Sequence, residues 1–373
     1  MMVETHAQAL VYRLLQLMPS PHMRASLQCL LALFLASPRP RATQGKTKSE
    51  ASLSRFLNRY GWPTRKAIQT TRQRIRRVID SYLATHRGRL PIVYAVVDLT
   101  CLEKTGKYKD LAGLVRTYNG KRGVHVALLY LVIGPFRLPW SFRVYRGKGT
   151  ATPTDLALAL LRQIPSEWCA RFKIRVLADA GFSTTELIPN AQKLGFEVIM
   201  SVRCNRCLAD GSSIQQVVQR GQVVTLNGLD IPVAVSWFWR RQEETGAREK
   251  HFIVATEALS GAYLVRLGKR RWAIEACFKT LKHQFGWDCF GQGTPRGMYR
   301  WWILAFISYL LTHWHFLDSQ QTTLDWQQAA HQAREQLFPH EVLQCFLHEV
   351  DQIRPLLAQL GWTVEISRLP VAA

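Results

Sequence analysis

Acidic side chains are scarce in this 373-residue chain: 26 Asp and Glu stand against 49 Lys and Arg, giving a net charge of +23 and a pI near 10.1. The shortage is sharpest at the front, where the first 90 residues hold 16 Lys or Arg and only Glu4, Glu50 and Asp80 as acids. So large an excess of one sign is expensive to confine in a compact fold and favours a polyanionic partner, nucleic acid or an anionic membrane surface. Uninterrupted apolar runs of spanning length are also missing. Residues 27–36 are too short, and residues 301–317 are broken by Ser308, Thr312, His313 and His315, so they read as a buried helix. No secretory leader is evident, and a chain of this size has no need of a disulfide framework, so reduced thiols are expected. Metal-site spacing is lacking as well. Cys204-x-x-Cys207 is half a zinc site without a second pair, and Cys277, His283 and Cys289 are a poor substitute. Repeats and low-complexity arrays are absent, and the length suffices for a full α/β core with a smaller helical domain.

What is present mid-chain is a pair of apolar, β-branched runs that each end in an acid. Residues 91–98 read Pro-Ile-Val-Tyr-Ala-Val-Val-Asp, and residues 173–179 read Lys-Ile-Arg-Val-Leu-Ala-Asp, followed by Ala180 and Gly181. Continuous runs of this kind suit strands buried on both faces, so each is expected to deliver its aspartate, Asp98 or Asp179, to a sheet end. An acid there can equally cap the loop or helix that follows. Residues 124–133 and 138–146 predict two further strands around the turn Gly134-Pro135. A helix is expected over 152–163, with Thr154 or Asp155 near its start, and another over 184–194, closed by Gly195. A fifth strand follows over 196–202.

Downstream, residues 271–282 (Arg-Trp-Ala-Ile-Glu-Ala-Cys-Phe-Lys-Thr-Leu-Lys) predict a helix with one carboxylate among cations. At about 100° per residue, Arg271, Lys279 and Lys282 lie within about 40° of Glu275. Ile274, Phe278, Leu281 and Phe285 form a neighbouring apolar stripe. Arg271 with Glu275, and Glu275 with Lys279, are also ordinary (i, i+4) pairs, worth only about 0.2–0.5 kcal/mol each on a solvated face. Charges set beside a buried stripe, rather than scattered around the exposed side, favour a site that handles a polyanion.

The order strand, strand, strand, helix, strand, helix, strand carries acids after its first and fourth strands and a glutamate on a later helix. It resembles the DDE transposases of bacterial insertion sequences, in particular the cut-and-paste group with a Tyr, Arg, Glu, Lys signature. Arg271, Glu275 and Lys282 match the signature's spacing; its tyrosine falls on Gly268, with Tyr263 five residues upstream. The likeness covers residues 90–317. It implies an α/β fold: a ribonuclease-H-like mixed sheet flanked by helices, with a β-rich insertion and an N-terminal helical domain. The corresponding divisions are end recognition over 1–88, the catalytic core over 89–202 and 258–317, the insertion over 203–257 and a helical tail over 318–373.

The resemblance further implies that Asp98, Asp179 and Glu275 form a catalytic trio holding two Mg2+ ions, with Mn2+ able to substitute. Such ions, about 3.5–4 Å apart, neutralise the attacking and leaving oxygens of a phosphodiester, and hard oxygen ligands suit them. The implied reaction is cleavage of transposon ends and strand transfer into target DNA. Arg271, Lys279 and Lys282 would touch phosphates. A homodimer on double-stranded DNA, cytoplasmic and nucleoid-associated, without membrane attachment, completes the expectation. Two alternatives remain: a nuclease of the same fold that cuts without joining, and a non-catalytic DNA-binding derivative of a mobile element.

The basic segment 101–123 contributes Lys104, Lys107, Arg116, Lys121 and Arg122 beside Asp98, either as DNA contacts or as a solvated loop. Residues 223–226, 231–239 and 250–255 alternate as short strands of the insertion. Trp237 and Trp239 there share one strand face; they pack in a core or, as the resemblance implies for an insertion tryptophan, stack on a flipped base. At the front, helices are predicted over 9–18 and 25–36, split by Pro19 and Pro21, and over 53–60 and 65–83, around Gly61-Trp62-Pro63 with Thr64 as a cap. That arrangement suits a helix-turn-helix or a helical collar on the core. Tail helices are expected around 326–337 and 340–360.

Overall fold

The computed structural model describes residues 3–104, 111, 113–241, 246–291, 293–319 and 321–366. The chain opens with helices α1 (Val3–Gln16), α2 (Pro21–Ala36), α3 (Glu50–Asn58) and α4 (Thr64–Thr85). Strands β1 (Val93–Glu103), β2 (Val115–Tyr118), β3 (Lys121–Ile133) and β4 (Phe136–Val144) follow. Next come α5 (Pro153–Leu161), α6 (Ser166–Arg171), β5 (Ile174–Ala178), α7 (Thr184–Lys193) and β6 (Glu197–Val202). The insertion supplies β7 (Gln222–Thr225), β8 (Pro232–Arg241) and β9 (Arg248–Ala255). Five helices close the chain: α8 (Gly261–Arg270), α9 (Ala273–His283), α10 (Pro295–Asp318), α11 (Trp326–Leu337) and α12 (Pro339–Gln359). These elements form two compact units. One comprises Arg72–His283 with Gly293–Pro295, and the other Met2–Thr71, Gln284–Gln292 and Arg296–Ala373.

The first unit is built on a nine-stranded sheet in the order β2-β3-β1-β5-β6-β9-β8-β7, with β4 on the same edge of β3 as β2. Only β1 with β5 and β5 with β6 run parallel; the other pairs are antiparallel. β1 and β3 are near-continuous buried runs because they lie inside the sheet with elements on both faces. The β3–β4 turn needs the left-handed conformation that Gly134 takes at φ 53°, and a side chain there would press on the Tyr82 ring. The insertion strands form no separate layer: β9 pairs with β6, so they extend the core sheet. β2 lies inside the segment read as a loop. Asn119 and Gly120, at φ 48° and 74°, make the two-residue turn that folds it onto β3.

In the helical unit, Pro21 does not separate helices as expected but begins α2. Its missing N–H is not needed in a first turn, and Ser20 caps the helix by accepting the Met23 N–H at 3.3 Å. The corner between α3 and α4 is held from inside by Arg300 of α10. Its guanidinium donates to the carbonyls of Phe56, Leu57 and Trp62 and to Thr64 Oγ1, and lies 4.4 Å from the Trp62 ring centroid. Those bonds satisfy carbonyls that the end of α3 leaves open, and burial pushes the Arg300 pKa down to about 10. Thr64, expected as a cap, is the first residue of α4 and serves Arg300 as an acceptor.

α10 is the buried helix expected over 301–317, with Trp301, Trp302 and Trp314 fully covered. It belongs to the helical unit from Arg296 onward. Trp326 of α11 packs on Tyr309 at 4.5 Å between ring centroids. Among the described residues, no helix is long and apolar enough to cross a membrane.

Candidate active site

Strand register brings the two aspartates together. β1 and β5 pair in parallel only from Val93 with Ile174 to Val96 with Leu177. Continuing that register sets Asp179 level with Asp98, at the point where β5 ends at Ala178. Asp98 is not at the end of its strand, as had been expected. β3 pairs with β1 along its whole length, with Asp98 opposite Leu128, so β1 runs on to Glu103. The aspartate is open on the flank where β5 has stopped. Asp179 does cap its own loop, accepting the Gly181 N–H on Oδ1 at 2.8 Å. The Ser183 N–H then donates to Thr154 Oγ1 at 2.9 Å, tying this loop to the start of α5.

Glu275 arrives from the other side, in the first turn of α9. Arg271, expected on the same helix, is instead the C-cap of α8; it keeps an α-helical backbone across the break. The (i, i+4) reach therefore survives. Arg271 Nη2 donates to Glu275 Oε1 at 2.9 Å, and its Nη1 donates to Asp98 Oδ2 at 2.9 Å. Lys282, two turns along α9, donates to Thr100 Oγ1 at 2.9 Å and to the Cys101 carbonyl at 3.0 Å, which fastens the helix along β1. Lys279 is exposed. The predicted stripe of Ile274, Phe278, Leu281 and Phe285 is buried.

The Asp98 carboxyl is pushed up to about 7. Burial is the largest cause and the Asp179 charge the second; together they outweigh Arg271 and the Leu99 N–H, and Glu275 adds to the rise. Asp98 thus feels the charge of both other carboxylates. Among the described residues, no three His, Cys, Asp or Glu side chains are grouped closely enough to hold a metal ion as they stand. The cation between Asp98 and Glu275 is Arg271. The donor set still suits a hard divalent cation: it offers oxygen alone, and its charges lack full compensation.

The sequence pattern of the transposase DDE domain family matches residues 73–311. The chain belongs to this family. No curated protein matches it in sequence. Among solved structures, piggyBac transposase in a cryo-EM synaptic complex with hairpin DNA aligns with a TM-score of 0.54 and 9% identity, over 95% of this chain and 78% of that one. At that identity the likeness concerns the fold, a ribonuclease-H-like mixed sheet flanked by helices. Membership in the DDE family carries transposase function and, in general, dependence on a divalent metal.

The surroundings of this candidate site are basic on the β2–β3 side. Arg116, Lys121 and Arg122 are exposed, and Arg122 Nη1 donates to the Lys104 carbonyl at 2.8 Å. Lys107 lies outside the described residues. Sequence reasoning missed Arg143, Arg146 and Lys148, which are exposed at the end of β4 and just beyond it. The alternation Arg143-Val-Tyr-Arg146 was the available signal, and the shared edge of β2 and β4 brings these cations toward Arg116, whose side chain lies against Gly147.

The two insertion tryptophans share a face as expected but differ in cover. Trp237 is buried against Phe252, whereas Trp239 is 54% exposed. Their face is the one turned away from α8, because Ser236 and Phe238, on the alternate face, contact Gly261 and Lys269 of that helix. On the α8 side, the 42% exposed Trp272 follows Arg271 directly and lies 5.6 Å from the Arg240 guanidinium. That aromatic was overlooked in the sequence. Gly268, at the position of the signature tyrosine, sits where α8 crosses β9, and a Cβ there would overlap Ile253 Cδ1. Tyr263 is engaged elsewhere, accepting from Arg175 Nη1 at 2.7 Å.

Proposed function

We propose that this chain is the transposase of a bacterial insertion sequence of the cut-and-paste group, which cleaves transposon ends and transfers the strands into target DNA. The observation that supports the reading is that Arg271 bridges Asp98 on β1 and Glu275 on α9, while the charge of Asp179 from the end of β5 also acts on Asp98. Those three carboxylates would hold Mg2+, or Mn2+ in its place. Bound divalent cations would supply activation of the attacking oxygen and neutralisation of the leaving one.

The protein's own groups do the remaining work. Asp98, held on an interior strand, fixes the position of the site. Asp179 is oriented by the Gly181 N–H, and Glu275 is carried in by α9, which Lys282 fastens to β1. Arg271, Lys279 and Lys282 are suited to phosphates of the DNA end. Lys104, Arg116, Lys121 and Arg122, joined by Arg143, Arg146 and Lys148, would extend the basic surface along the duplex. Trp272 is the aromatic best placed to stack on an unpaired base beside the carboxylates, ahead of Trp239, with Trp237 committed to the core. Residues 1–88 would recognise the ends, as a homodimer on paired DNA in the cytoplasm and nucleoid; the piggyBac relative in fold was captured in a synaptic complex.

The test is cleavage and strand transfer in Mg2+ on duplexes bearing the element's terminal repeats. Asp98→Asn, Asp179→Asn and Glu275→Gln should each reduce both steps to background, while duplex binding compared in chelator falls by no more than about threefold. Wild-type levels of cutting by any variant would remove that residue from the site. Cutting without joining by the native protein would favour a simple nuclease.

A further inference from the structure

Resting on the reading of the three acids as cation-holding carboxylates, we infer that Arg271 is an internal placeholder. Its guanidinium fills the space between Asp98 and Glu275 until divalent cations enter, and then leaves to take a DNA phosphate, so that metal loading and DNA binding are coupled. The geometry is specific. The two Nη atoms do not grip one carboxylate as a fork; they split, one to Asp98 on β1 and one to Glu275 on α9, each at 2.9 Å. A guanidinium so placed sits between acids from two elements, where a shared cation would have to lie.

Burial makes the contact with Asp98 hard to ignore. The Arg271 and Asp98 side chains are 14% and 12% exposed, so their attraction is poorly screened, while Glu275 stays 55% exposed and free to reorient. Arg271 also stands at a joint. It closes α8 before α9 begins at Ala273. Compensation is partial, because the guanidinium bonds to Asp98 and Glu275 while Asp179 accepts the Gly181 N–H. A divalent cation brings twice the charge, and it cannot share the same oxygens with Arg271.

Competition for those oxygens has a thermodynamic signature. DNA that draws Arg271 away must raise the affinity for metal, and metal must raise the affinity for DNA by the same factor. The experiment is a titration of the full-length protein with Mn2+, free ion being read by electron paramagnetic resonance, with and without a duplex carrying the terminal repeat. Native protein should bind Mn2+ about tenfold more tightly with DNA than without, and Mn2+ should tighten DNA binding equally. Arg271→Gln should bind Mn2+ about tenfold more tightly than the native protein in the absence of DNA, and should lose the DNA-dependent gain. Arg271→Lys, with a compact head that can satisfy only part of the bridge, should fall between them; it carries the test if the glutamine variant fails to fold.

Asp98→Asn separates the two ideas. If it leaves Mn2+ binding intact, the assignment of the carboxylates fails. If it abolishes binding while both Arg271 variants bind Mn2+ no better than the native protein, the carboxylate site stands and the placeholder is overturned.

Discussion

Replacing Asp98 with asparagine should stabilise the metal-free protein above neutral pH and change little near pH 4. The carboxyl titrates near 3.8 when unperturbed and is pushed up to about 7 in the folded chain, chiefly by burial and by Asp179. A folded-state value above the unfolded one means that the native protein holds the proton more tightly. Its contribution to stability is therefore complete below the unfolded value and is lost as pH rises through about 7. At about 1.4 kcal/mol per pKa unit, the rise from 3.8 to about 7 makes the loss on the order of 4–5 kcal/mol. Asparagine carries no charge and keeps an acceptor for the Leu99 N–H, but it weakens the tie to Arg271, which returns about 1 kcal/mol of the gain. Urea denaturation in chelator between pH 4.5 and pH 8.5 should thus show a variant advantage growing from near zero to about 3–4 kcal/mol. Added Mg2+ should narrow the gap at the alkaline end by stabilising only the native carboxylate set. A difference that is flat with pH, or a native protein that is the more stable of the two at pH 8.5, would refute the picture of a site held together against its own charge.

Two further outcomes follow from the packing around the site. Gly268→Tyr, which restores the signature tyrosine, should destabilise the sheet unit by about 3 kcal/mol or more in a denaturation experiment, because α8 has no room above Ile253; a soluble variant of native stability with stronger DNA binding would show that the crossing opens. Trp272→Ala should weaken capture of a duplex with an unpaired end base by about 1–3 kcal/mol in a fluorescence titration, whereas Trp237→Ala should lose stability instead; equal affinity for Trp272→Ala and native protein would exclude stacking there.

The parts of this fold that were legible in the sequence are those specified by burial. The runs into Asp98 and Asp179 suit interior strands, since each is apolar almost throughout and rich in β-branched residues, and β1 and β5 are adjacent at the centre of the sheet. Local chemistry that was present but overlooked explains β2: Asn119-Gly120 is a strong hairpin turn, masked by the cations around it. The break at Arg271 had no local marker. Neither glycine nor proline interrupts residues 269–274, and the helical period runs through them, so only the packing of α8 on the insertion strands reveals the joint. That Trp237 and Trp239 share a face follows from the two-residue period, but which of them is covered depends on the distant pairing of β8 with β9. Arg300 was equally unreadable, because its partners at the α3–α4 corner lie more than 230 residues away in sequence.

The spacing of Arg271, Glu275 and Lys282 has a plain mechanical meaning here. The step from Arg271 to Glu275 works even though the helix is broken between them, because Arg271 keeps α-helical backbone angles and its guanidinium still reaches the Glu275 carboxylate. The step from Glu275 to Lys282 measures a strand. Seven residues of helix rise about 10.5 Å, and the three residues from Asp98 to Cys101 advance β1 by about 10 Å. A helix lying along β1 with its glutamate level with the aspartate therefore delivers a lysine to Thr100 and Cys101, which is where Lys282 is found. On this account the motif encodes a match between the pitch of α9 and the extension of β1. The lysine holds that register and the arginine holds the charge, which leaves the acids poised at one end of the seam.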